Sequence, residues 1–296
     1  MKKIILSTIT ASLLFTGNMY ANQKAAKNAT VKEVNTIAVN NAKNNAKKNQ
    51  TKLVQEAIDS LKYAHEALVA LEKKDEKEAT QKLEKALGKL EIILSAKDAP
   101  KYLVIDNIIK ANEFIGTRKD VKTALKSVKE LLDKGKVQEA RSLLLPLQSE
   151  IDVTVVSLPL VSYPDALKLA AKYIQSNELE KAKEVLKIAL STFTEVTQVI
   201  PIPLLKATDL IAAASDTAKE DKKRAIMYLD AASDSLDTAE SLGYVSKSET
   251  TYKILHEKIS EVKKEVEGGN KAEKLFDGLK EKLKEFKEKV FSGKTK

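Results

Sequence analysis

The feature that most constrains this chain is a unit written twice between Leu131 and Ile202. Moving Leu131–Leu160 forward by 42 residues lays it on Tyr173–Ile202 without a gap. Gly135 then falls on Asn177, Ala140 on Ala182, Leu144 on Leu186, Ser149 on Ser191 and Pro159 on Pro201. Gly and Asn are the residues that most readily take a positive φ, so both mark a helix end followed by a tight reversal. An Ala four residues before a Leu fits a small-then-large contact on one helix face. A Pro at the same distance each time stops regular structure. The unit reads as helix, tight turn, second helix, Pro-bounded joint.

The same Ala-x3-Leu core occurs in four places: Ala79–Leu83, Ala140–Leu144, Ala182–Leu186 and Ala225–Leu229. Three of the four add a second alanine, Ala86, Ala189 or Ala232. The intervals of 61, 42 and 43 residues are longer than those of tetratricopeptide repeats, so the segments share packing logic without being that repeat. Aromatics are only 5% of the chain, and Ala, Leu, Lys and Glu dominate, residues that lose little rotamer freedom in a helix. The expected fold is mainly α: an array of antiparallel helical hairpins with an internal duplication of about 42 residues, an amphipathic C-terminal helix, and joints at Gly135, Pro159, Pro164, Asn177, Pro201 and Pro203. Two stretches strain this reading. Ile151–Val156 and Phe193–Ile200 are dense in Val, Ile and Thr and look like short strands in isolation. They occupy equivalent places in the repeat, and the reading favours helix running on to near Leu158 and Ile200. Tyr102–Ile109 fits strand or buried helix.

Lys2 and Lys3, an apolar run from Ile4 to about Phe15 and a cut after Ala21 read as a secretory signal peptide over residues 1–21. The run falls short of the roughly 20 apolar residues a bilayer span needs. The expected location is periplasmic. Residues 22–50 are rich in Asn, Lys and Ala and read as a flexible or weakly helical lead-in, residues 51–267 as the helical domain, and 268–296 as a Gly-Gly linker with a Lys-rich tail. In the tail Phe276, Leu279, Leu283, Phe286 and Val290 recur at three- and four-residue spacing with Lys and Glu between them. That stripe can meet a membrane surface or a partner helix, or fold back on its own domain. Net charge is +9, but only three basic residues are Arg, and Lys alternates with Glu as on a solvated helix surface; nucleic acid is not expected as a partner.

The residues of catalysis are scarce. There is no Cys, no Gly-rich phosphate loop and no G-x-S-x-G elbow. His65 and His256 are the only histidines, and neither has a second His at metal-ligand spacing. No cofactor and no enzymatic activity are expected. A His on an apolar stripe resists protonation until pH falls, which makes His65 and His256 candidates for acid sensing.

Several stretches resemble the YfdX family: Glu139-Ala140-Arg141-Ser142-Leu143-Leu144, Ser149-Glu150-Ile151, Leu158-Pro159-Leu160 with Tyr163-Pro164, Glu180-Lys181-Ala182-Lys183, Ala189-Leu190, and Val199-Ile200-Pro201-Ile202-Pro203-Leu204-Leu205. Gly243-Tyr244 and the tail add to the likeness, which extends over Thr51–Phe291. The resemblance implies an exported, helical, stress-linked protein that self-associates and has chaperone-like protective activity, with no catalytic residues to carry over. The expected function is a non-enzymatic oligomeric binding protein acting as a holdase on unfolded or envelope proteins. The alternative is a peripheral envelope scaffold docked on a membrane or partner helix through the tail.

Overall fold

The computed structural model describes residues 29–48, 55–97, 99–268 and 272–291; residues 1–21, which read from sequence as a signal peptide, lie outside them. The described chain is mainly helical, with one small sheet, and it divides into two compact units. The first contains α2 (Gln55–Glu72), α3 (Glu76–Leu94), α6 (Tyr163–Gln175) and α7 (Leu179–Ser191). The second contains α1 (Val31–Lys48), α4 (Arg118–Asp133), α5 (Val137–Leu144), α8 (Ile202–Thr217), α9 (Lys222–Ser241), α10 (Thr250–Gly268) and α11 (Glu273–Phe291). Each unit also holds part of every strand: β1 (Tyr102–Asn112), β2 (Glu150–Pro159) and β3 (Thr194–Pro201).

One turn geometry recurs. Lys74, Gly135 and Asn177 have φ of 62°, 70° and 56°. In each case the next residue's N–H reaches back across the turn, from Asp75 to Ala70 O at 2.9 Å, Lys136 to Leu131 O at 2.8 Å and Glu178 to Tyr173 O at 2.8 Å. This is the Schellman closure, in which a left-handed residue lets the chain satisfy carbonyls that the helix end leaves open. Five residues after each left-handed residue stands an alanine, Ala79, Ala140 or Ala182, each at most 1% exposed. A small side chain there lets the second helix approach the first. The expected positive φ at Gly135 and Asn177 is therefore present. Lys74 takes the same conformation without a side chain that favours it.

The structure corrects the helical reading of the β-branched stretches. Ile151–Val156 lies in β2 and Thr194–Ile200 in β3. The helices stop for local reasons. Pro146 cannot supply an N–H to a continuing helix, and the chain after Leu144 tightens into a 3-10 turn, Leu145–Leu147. At the other site Ser191 Oγ and Thr192 Oγ1 both donate to Ile188 O, at 3.0 and 2.8 Å, and close off α7. Tyr102–Ile109 likewise resolves as strand. The sheet has the order β1-β2-β3. Its neighbours run antiparallel: Leu160 N–H bonds Lys101 O at one end of the β1–β2 pair, while Asn112 meets Gln148 at the other. On the second pair Ile202 N–H bonds Ser149 O, while Thr154 and Thr197 share a hydroxyl hydrogen bond of 2.8 Å. The central strand is the most buried, with Ile151, Val153 and Val155 on alternate positions.

Pro159 closes β2, Pro164 sits buried in the first turn of α6, Pro201 closes β3, and Pro203 lies in the first turn of α8. Each is where a missing N–H costs nothing. Within the lead-in, Val31–Lys48 forms α1 and buries Val34, Ala38, Val39 and Ala42, and Tyr228 OH donates to Ala29 O just ahead of it.

The first unit's core packs the hairpin α2–α3 on the hairpin α6–α7, α2 meeting α7 and α3 meeting α6. Leu71, Leu83, Leu90, Leu167, Ile174 and Leu186 fill it, with alanines at the crossings. In the second unit α8 is buried on nearly every side, from Ile202 to Ala214; α1, α9 and α11 pack on it, and α10 packs on α9 and α11.

Candidate functional site

The strongest polar constellation lies at the start of α4 and along α9 and α10. Thr117 caps α4 through a reciprocal box with Asp120, which places Arg118 at the first helical position. Asp234 and Asp237, one turn apart on α9, both face it. Arg118 Nη2 lies 2.8 Å from Asp234 Oδ1 and Nη1 lies 2.6 Å from Asp237 Oδ2. Tyr252 OH donates to Asp237 Oδ1 at 2.6 Å. One turn along α10, the His256 ring tilts against Tyr252 with centroids 4.6 Å apart. Its Nδ1 is 3.0 Å from Ser233 Oγ, and its Nε2 is 3.3 Å from Asp237 Oδ1.

Burial holds the His256 imidazole below its ordinary range; Asp237 pulls it back up and Arg118 pushes it further down. A neutral imidazole at pH 7 follows. Ser233, His256 and Asp237 have the composition of a nucleophilic triad. The surroundings do not complete one. Ser233 lies in mid-helix, where backbone N–H groups are committed to the helical ladder and cannot stabilise an oxyanion. Asp237 already serves Arg118 and Tyr252. The arrangement is a clamp that ties the first turn of α4 and the middle of α10 to α9. Sequence reasoning missed it because Arg118 and Asp237 are 119 residues apart.

The other candidate is apolar. On α6 and α7 the inner stripe of Leu167, Ala170, Ile174, Ala182 and Leu186 is consumed by the core. A second stripe, two residues further along each helix, faces outward. Leu169 is 41% and Ile188 57% exposed. Between them runs a groove of about 420 Å³ lined by Pro159, Tyr163, Ala166 and Val185, with Ser162, Asp165 and Thr192 at its rim. A helix apolar on both faces has one face left to offer. In the second unit a groove of about 540 Å³ beside α1 is more polar, lined by Lys32, Asn35, Lys43 and the ion pair of Glu113 with Lys206.

The residues singled out from sequence fare differently. His65 is exposed on the outer side of α2, not on its buried stripe; only His256 sits in a packed environment. Of the three placements open to the tail stripe, the structure shows the fold-back. Phe276, Leu279, Leu283 and Phe286 are each at most 2% exposed, and Val290 is half-buried beside them. The helix α11 folds back on α8 and α10, so in this structure that stripe is covered by the protein's own core. Among the described residues no helix is long and apolar enough to cross a membrane, and no group of three or more acidic, His or Cys side chains is placed to hold a metal ion.

Fold and site together define a mainly α protein of helical hairpins with one small antiparallel sheet. The YfdX family model, described as YfdX protein, matches residues 61–199, and over that stretch the chain is similar to the YfdX family. YfdX is not known as a family of enzymes. The match is narrower than the likeness read over Thr51–Phe291: α8 to α11 and α1 lie outside it. Among solved structures, YfdX from Salmonella Typhi is 14% identical, covering 51% of this chain and 93% of its own, with a TM-score of 0.36. No curated protein matches.

Proposed function

We propose that this is an exported, self-associating, non-enzymatic binding protein of the stress response, which holds apolar segments of unfolded envelope proteins in the groove between α6 and α7. The observation that carries this reading is the outward apolar stripe of Leu169 and Ile188 flanking that groove. An extended or helical segment with alternating apolar side chains can bury them there. The Lys/Glu exterior keeps such complexes soluble. The signal-like residues 1–21 and the stress link implied by the family support the compartment and the context.

The test is light scattering of an unrelated heat-aggregating protein. The wild-type chain is expected to suppress scattering at about one copy per client. Leu169→Glu with Ile188→Glu is expected to raise the amount needed by at least about tenfold, because each charge must be desolvated on binding. Both positions face solvent, so stability is expected to change little. No suppression by the wild type removes the holdase, and suppression unaffected by the substitutions removes the groove. For the compartment, amino-terminal sequencing of the chain recovered from the cell envelope is expected to begin at Asn22. An intact Met1 start there, or recovery from the cytosol alone, overturns export.

A further inference from the structure

The recurring turn allows the hairpins to be compared position by position. The offsets that bring Lys74, Gly135 and Asn177 into register also align Ala64, Leu125 and Leu167. In the same frame Leu71, Leu132 and Ile174 are equivalent, as are Leu83, Leu144 and Leu186. In the α2–α3 and α6–α7 hairpins all six of these residues are at most 5% exposed. They are buried because those two hairpins cover each other, α2 on α7 and α3 on α6. In the α4–α5 hairpin the inner positions Val121, Val128 and Ala140 are buried, but Leu125, Leu132 and Leu144 are 40%, 48% and 42% exposed. Val137, Leu143 and Leu145 widen the exposed surface. Six large aliphatic side chains within one hairpin stand in water, three of them at register positions the fold covers elsewhere.

We propose that the α4–α5 face is a self-association surface, covered by the same face of a second copy of this chain. The proposal rests on the self-association reading above and names where it occurs. Three observations select the occupant. At these register positions the chain twice solves the packing problem with a hairpin of its own type. The two hairpins that do so are consumed by each other, and α8–α9 is covered by α1, α10 and α11, which leaves α4–α5 as the hairpin with that face open. The exposed charges of the hairpin are of both signs, Lys119, Lys122, Lys126, Lys129, Lys134, Lys136 and Arg141 with Asp120, Glu130, Asp133 and Glu139. A two-fold contact can set one copy's cations against the other's anions.

The experiment is sedimentation equilibrium of the full mature chain over a wide concentration range, for the wild type, Leu132→Glu/Leu144→Glu, and Leu169→Glu/Ile188→Glu. The wild type and the groove variant are expected to associate alike, and the α4–α5 variant to dissociate with a constant raised at least about a hundredfold. The chain has no cysteine, so Leu132→Cys and Leu144→Cys provide a second measurement. Mild oxidation is expected to give disulfide-linked dimers from at least one of them and none from Ile188→Cys. This decides the matter should the double glutamate variant fail to fold. A wild type that stays monomeric at every concentration overturns self-association and the surface together. A wild type that associates, with the folded glutamate variant associating equally or the cysteines at Leu132 and Leu144 failing to link, overturns the surface and leaves self-association standing.

Discussion

Phe286→Ala is expected to destabilise the protein by about 3–5 kcal/mol, the usual cost of emptying a buried aromatic site. Phe286 and Leu279 are fully buried, and Phe276 and Leu283 nearly so, on α11 against α8 and α10. Leu210 and Ile211 of α8, in the same core, are themselves buried on a helix covered on nearly every side. The cavity is therefore expected to collapse only in part, which puts the cost toward the upper end. Urea unfolding followed by circular dichroism measures it. The two readings of the tail separate cleanly here. A stripe reserved for a membrane or partner predicts a change under about 1 kcal/mol and weaker binding to anionic vesicles. A docked helix predicts the large loss, with vesicle binding unaffected. A loss below 1 kcal/mol means that α11 does not contribute to the core.

What was legible in the sequence were features that act locally. Gly135 and Asn177 announce left-handed turns because few other residues adopt that conformation cheaply, and the alanines that follow announce close helix crossings. Lys74 makes the same turn, but its side chain does not announce the left-handed conformation, since lysine has no preference for positive φ and the rest of the hairpin imposes it. Periodicity told which residues share a face, not whether the face is covered: Leu83 and Leu144 look identical in the repeat, yet one is buried and the other half in water. In β2 and β3 the β-branched composition prevails over the helix continuation that the repeat suggests. The deciding signals were Pro146 and the hydroxyls of Ser191 and Thr192. The segment of α1 reads as no more than weakly helical because it has few large apolar residues. It needs only Val34, Ala38, Val39 and Ala42, since α8 supplies the opposing apolar surface. The Arg118–Asp237–His256 clamp depends on contacts between distant segments, which no local pattern encodes.

The second large effect concerns a pair of charges inside the second unit. Lys287, on the otherwise apolar inner side of α11, is 5% exposed, and its ammonium is electrostatically coupled to Asp209 on the central helix α8. Burial pushes the Lys287 ammonium down to about 8, with Asp209 and then Glu288 pulling it back. Burial pushes the Asp209 carboxyl up to about 6, with Lys287 pulling it back. Each shift has the sign of a charge that is worse off folded than unfolded even with its partner in place. Asp209→Asn/Lys287→Met, which keeps similar volumes and removes both charges, is therefore expected to stabilise the protein by about 1–4 kcal/mol at pH 7. The pH dependence follows from linkage. Asp209, with its folded pKa raised, contributes stability that is lost as pH rises through about 6. Lys287, with its folded pKa lowered, contributes stability that is lost as pH falls through about 8. Both losses are in force between those values, so the gain of the double variant over the wild type is expected to peak between about pH 6 and 8. It shrinks toward acid as Asp209 protonates in the folded chain, and toward alkali as Lys287 deprotonates. Urea unfolding of both proteins from pH 4 to 10 measures the difference. A double variant less stable than the wild type at pH 7 would show that the attraction between these charges outweighs their burial. A gain that is flat with pH would place its origin in packing instead. A gain that peaks as expected would leave the wild-type charges a role other than stability, that of selecting one register of α11 on α8, a choice that a stripe of interchangeable Leu and Phe cannot make alone.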